Sequence, residues 1–179
     1  MAKISPLMVA PPMIFIGFAT LAAFGMFRAD PDALPSARAG QLAPPLVLTQ
    51  LGEGAPFSDA TLREGGVKLV NYWASWCAPC RAEHRFLEQL QDEGVPIYGI
   101  NYKDEADNAL AFLGELGDPY AGLAADETGR TALDWGLYGV PETYVIAADG
   151  TIVLRFAGPI TASILESTIR PAMAEAAAR

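Results

Sequence analysis

The sequence predicts an α/β sandwich around a mixed sheet. Apolar runs of strand length alternate with segments of helical periodicity through residues 45–116. The run "GVKLVNYWA" at 66–74 reads as a continuous apolar strand, the pattern of a strand buried on both faces. Near the C-terminus, "TYVIAADGTIVLRFAG" at 143–158 reads as two strands joined by a turn holding Asp149-Gly150, a strong hairpin signal. Strand, helix, strand and helix followed by a hairpin and a last helix is the order of such a sandwich.

In chain order, the first feature is Ile4 to Phe27, which carries no charged side chain. About 20 helical residues cross the hydrocarbon core of a membrane, and prolines such as Pro11 and Pro12 are tolerated there. Lys3 and the amino terminus precede the run, which favours an anchor leading from the inside outward. A cleaved signal peptide is the rival, but its apolar core is shorter, about 7–15 residues. The nearest A-x-A site, Ala37-Arg38-Ala39, also lies well beyond the run. A buried core helix is a third alternative. Residues 1–28 are therefore expected to be a membrane anchor, 29–44 (rich in Pro and Ala) a linker, and 45–179 the folded domain.

Within the domain, "PLVLTQL" (45–51) reads as a short edge strand. Helical spacing of Phe86, Leu87 and Leu90 marks a helix from Ala78 to about Asp92. "VPIYGINY" (95–102) is the next strand. Asp104 is expected to cap a helix to about Leu116 with Ala109, Leu110, Phe112 and Leu113 on one side. A terminal helix is expected from Thr161 and Ala162.

The chain has 179 residues, 51% apolar, and a formal net charge of −9, which argues against nucleic acid as the main partner. Its two cysteines form Cys77-Ala78-Pro79-Cys80, between a buried strand and a helix. The helix N-terminus favours a thiolate at Cys77, and Pro79 costs little in the first turn. The spacing puts Cys77 outermost as nucleophile and Cys80 as the resolving partner. A structural zinc site needs about four ligands, and the chain adds only one histidine, His84, pointing away from Cys77. A covalent haem site would need histidine where Arg81 stands. A purely structural disulfide closing so short a loop would remove little unfolded-state entropy. Redox chemistry is the favoured reading. His84 reads as a surface or groove residue, Trp73 and Trp76 as core and rim aromatics, and Trp76 could also shield the sulfur or touch a bound peptide.

The stretch "WASWCAPC" and the order of elements around it resemble the thioredoxin superfamily, as does Gly139-Val140-Pro141-Glu142-Thr143 before a strand. With "CRAEH" (80–84), "YGINYKDE" (98–105), "DWGLYGVPETYVI" (134–146) and "FAGPIT" (156–161), residues 42–171 look like the membrane-anchored periplasmic thiol:disulfide interchange proteins of cytochrome c maturation, the CcmG/DsbE group. The likeness implies a thioredoxin-like three-layer α/β/α sandwich and a cis bond at Pro141. A proline there leaves neighbouring backbone groups free for a substrate strand and hinders metal capture. It further implies a groove holding Trp76, Val140, Pro141 and Glu142. Ordinary thioredoxin carries a buried aspartate where this chain has Asn71, so the usual proton relay is absent. Glu83 is the candidate that deprotonates Cys80, while Glu142 is expected to shape the peptide groove. Tyr102, Lys103 and Asp104 are given no catalytic role.

The expected activity is reduction of disulfides in apocytochrome c, or in an assembly partner, before haem attachment. The resemblance implies recharging by a membrane thiol-electron donor of the DsbD/CcdA type, with no cofactor and no metal. It also implies a single-pass anchor in the bacterial inner membrane with the domain in the periplasm. A general periplasmic reductase or oxidase, and an apocytochrome-binding chaperone-like module, are the alternatives.

Overall fold

The computed structural model describes residues 6–26, 38–53 and 55–179 of the chain. Two compact units result, residues 1–35 and 36–179. In the first, Pro6–Met26 forms helix α1, with Pro11 and Pro12 inside it. Among the described residues no helix is long and apolar enough to cross a membrane. Lys3, Arg28 and residues 29–37 of the expected linker lie outside the described residues.

Residues 38–44, the end of that expected linker, are already part of the folded unit. Gly40 N donates to Ile152 O, Ile152 N to Gln41 O and Ala43 N to Gly150 O. Leu42 bridges Thr151, and Ala43 is buried.

Six strands make one mixed sheet in the order β1-β4-β3-β2-β5-β6. They are β1 (Thr49–Gln50), β2 (Lys68–Trp73), β3 (Ile97–Tyr102), β4 (Gly122–Asp126), β5 (Glu142–Ile146) and β6 (Ile152–Ala157). β2, β3 and β4 run parallel, while β5, β6 and β1 are antiparallel to their neighbours. Alternation along central β2 feeds two cores. Leu69 and Trp73 pack on one face beneath α3 (Ala78–Asp92), α4 (Ala106–Leu116) and the C-terminal helix. Val70 and Tyr72 pack on the other with Leu62 of α2 (Asp59–Arg63) and Ala132 and Trp135 of α5 (Arg130–Trp135). The result is the expected thioredoxin-like α/β fold.

The C-terminal helix starts at Thr161, whose hydroxyl accepts from Ile164 N. It runs through α6 (Ala162–Ile164), a π-helical segment (Leu165–Ile169) and α7 (Arg170–Ala177). The sequence did not disclose β4, α2 or α5. β4, "GLAAD", lacks β-branched residues, and its pairing with β3 and β1 on either side makes it a strand.

The expectation that Asp104 caps α4 is corrected. Glu105 occupies the cap position. The Asp104 carboxylate turns to the loop after β2, accepting from Ser75 N at 2.6 Å, Ser75 Oγ at 2.8 Å and Asn101 Nδ2 at 3.0 Å. Leu110, expected on the apolar side of α4, is exposed.

Candidate active site

β2 ends at Trp73, and the chain turns through Ser75 and Trp76 into α3, so Cys77 and Cys80 stand at the C-terminal ends of the inner strands β2 and β3. The two cysteines are joined as a disulfide. Cys77 is the N-cap of α3, and its sulfur accepts from Cys80 N at 3.1 Å. Unpaired amides at this end favour negative charge on that sulfur once the pair is reduced. With the pair closed both residues are covered, Cys77 being 4% exposed and Cys80 2%. The outer position assigned to Cys77 is thus a matter of helix position, outside the first turn against inside it.

Trp76 is 59% exposed beside Cys77, and its Nε1 donates to Lys103 O at 3.1 Å. Together with the Ser75–Asp104 bonds, this ties the loop before Cys77 to the turn after β3. The Val140–Pro141 bond is cis, as the resemblance implied. Pro141 is buried, and Pro141 O accepts from Gly158 N.

Glu83, on α3 one turn after Cys80, is fully buried, which excludes a solvated helix carboxylate. Its Oε1 accepts from Asn71 Nδ2 at 2.9 Å and its Oε2 from Ile160 N at 2.8 Å. Burial raises its carboxyl from 4.5 to about 7, against the opposing pull of those two donors. A carboxyl held there exchanges a proton readily near neutrality. Asn71 also donates to Thr143 Oγ1 at 3.1 Å and accepts from the Tyr120 hydroxyl at 2.9 Å. The position where thioredoxin has an acid therefore holds a neutral amide that presents a donor to an acid supplied by the neighbouring helix.

Two expectations need correction. Glu142 does not reach the groove surface. It is fully enclosed, paired with Arg155, and accepts from Tyr144 OH at 2.7 Å and Tyr138 N at 3.3 Å. Its alternation with Tyr144 on central β5 turns it to the face where that tyrosine packs. Arg155, which sequence reasoning missed, lies over the Tyr138 ring at 4.1 Å. His84 is likewise buried, since it shares a helix face with Cys80 and Leu87. Its Nε2 lies 3.0 Å from Gly117 O, and its ring meets Phe112 edge-on. Among the described residues no group of three or more His, Cys, Asp or Glu could hold a metal ion.

The Redoxin family model matches residues 38–170, the stretch that holds the joined C-x-x-C pair, the cis-proline and the mixed sheet. The chain belongs to the Redoxin family. Within that family it falls among the thiol:disulfide interchange proteins, which are disulfide oxidoreductases. It is 49% identical over 174 residues to the interchange protein HelX of Rhodobacter capsulatus, covering 97% of this chain and 98% of HelX. To the DsbE homolog of Paracoccus denitrificans it is 47% identical, with 99% of each chain covered. To DsbE of Escherichia coli it is 38% identical, covering 92% and 91%. Among solved structures, a Chlorobium tepidum protein assigned to the DsbE group matches with a TM-score of 0.65 at 27% identity. That match covers 75% of this Redoxin-family chain and 97% of the other.

Proposed function

We propose that this protein is a membrane-anchored reductase that opens disulfides of apocytochrome c, or of an assembly partner that holds it, before haem attachment. What supports the chemistry is the Cys77–Cys80 pair at the start of α3 with the buried Glu83 carboxyl one turn along the same helix. What supports the client is the likeness to the CcmG/DsbE group, because haem attachment needs free thiols.

In this reading the reduced Cys77 thiolate attacks a client sulfur, forming a mixed disulfide and releasing the other client sulfur as a thiolate, which takes a proton. The Cys80 thiol gives its proton to Glu83 and attacks the Cys77 sulfur. The Cys77–Cys80 bond forms, the bond to the client breaks, and the departing sulfur is protonated. The client gains two electrons and the pair loses two. A membrane dithiol donor of the DsbD/CcdA type returns two electrons in a compartment that otherwise keeps thiols oxidised.

Trp76, Val140 and Pro141 form the peptide groove, and the backbone beside the cis-proline pairs with the extended client. Glu142 acts on that groove from beneath, by holding Tyr138 N. Residues 1–28 serve as a single-pass inner-membrane anchor, resting on the charge-free run from Ile4 to Phe27, and the domain lies in the periplasm.

The test is Cys80→Ser in the full chain, expressed in cells and followed by identification of the trapped mixed disulfides. Apocytochrome c cysteines or cytochrome-assembly thiol proteins should dominate. Capture of many unrelated exported proteins would instead indicate a general exchanger. Peptide binding unchanged with both cysteines replaced by serine, and no trapped partner, would indicate a holding module.

A further inference from the structure

One buried hydroxyl beside the relay has no part in the steps above. Tyr120 is buried, and its hydroxyl donates to Asn71 Oδ1 at 2.9 Å. Its ring is held in a slot cut for it. A side chain at Gly99 would bring a Cβ within 2.7–2.8 Å of three Tyr120 ring carbons, so β3 must carry glycine there. Trp73 stacks on the ring at 5.7 Å, and Asp118 Oδ1 accepts from Tyr120 N. An amide can turn either end to a neighbour, and its partners decide which. Tyr120 donates, so the carbonyl of Asn71 faces it. The NH2 group is left to Glu83 Oε1 and Thr143 Oγ1.

We propose that Tyr120 is a positioning residue of the thiol relay: its hydroxyl, fixed by Gly99 and Trp73, orients the Asn71 amide so that its NH2 faces the Glu83 carboxylate. This rests on the reading of Glu83 as the relay. Without the hydroxyl, the buried Asn71 carbonyl loses its donor. An unpaired buried oxygen is costly, which favours rotation of the amide, and rotation turns that oxygen toward Glu83 and takes the NH2 donor away from the ionised carboxylate.

The other groups around Glu83 leave this control to Asn71. On α3, Cys77 and Cys80 precede it, and His84 turns to Gly117 O. β2 and β5 contribute the neutral Asn71 and Thr143, and the loop before α6 contributes a backbone amide. The β3–β4 connection contributes Tyr120 and, behind it, Asp118.

Tyr120→Phe keeps the ring and its slot and removes only the hydroxyl. The experiment follows the Glu83 carboxyl by 13C NMR in the full chain in detergent, with Glu83→Gln assigning its signal, alongside the pH profile of mixed-disulfide resolution. The Glu83 titration should move up by about one pH unit, and the resolution profile should move with it. A lowered melting temperature with an unmoved titration would overturn the proposal and leave Tyr120 as packing alone. A moved titration with an unmoved resolution profile would support the hold of Tyr120 on Glu83 and remove Glu83 from the relay.

Discussion

Glu83→Gln is expected to slow resolution of the mixed disulfide by about 10²-fold at neutral pH, the low end of what a positioned base contributes. Its pH dependence near 7 should disappear. Single-turnover kinetics with tryptophan fluorescence, followed from pH 5 to 9, reads both. Attack by Cys77 should change little, because its thiolate is favoured by the helix end and not by Glu83. Unchanged resolution kinetics would remove the relay assignment. The same carboxyl marks stability. Burial raises it from 4.5 to about 7, so the unfolded chain releases this proton at lower pH than the folded one. Its contribution is fully present below about 4.5 and is lost as the pH rises through about 7, on the order of 3 kcal/mol across that window. Thermal unfolding of wild type and variant across this range should diverge accordingly.

Arg155→Met is expected to destabilise the domain by about 3–5 kcal/mol, because it leaves the Glu142 charge buried without its partner. Neither side chain reaches solvent appreciably, Arg155 being 7% exposed and Glu142 0%. Arg155→Met combined with Glu142→Gln should recover most of the loss, since the uncompensated charge is then gone. Denaturant unfolding measures both. A cost below about 1 kcal/mol for the single variant, as at exposed pairs, would show that the pair is not what holds the turn before Pro141.

The redox centre was legible in the sequence because its parts are local: the C-x-x-C spacing, the strand before it and the helical period after it. The strands rich in Val, Ile and Tyr were legible for the same reason. The failures were long-range. Tyr120 lies 49 positions from Asn71, and its one trace was a glycine inside the β3 strand pattern. Glu142 sits next to the active-site proline, and only its pairing between β2 and β6 turns it inward to Arg155. His84 looked peripheral because one polar residue on an amphipathic helix gives no sign of whether a carbonyl waits for it, as Gly117 O does.

The attachment of residues 40–43 to the start of β6 has a mechanical consequence. Those residues meet the sheet at Gly150–Ile152, whereas Pro141 and Gly158 mark the other end of the hairpin, about 17 Å of strand away. A pull on the upstream chain loads the Arg38–Asp134 hydrogen bond, then three backbone hydrogen bonds and the burial of Ala43, before it reaches the strand that leads to the cysteines. Any rotation of the domain about that corner carries the cysteine end of the hairpin through a wider arc than the turn end.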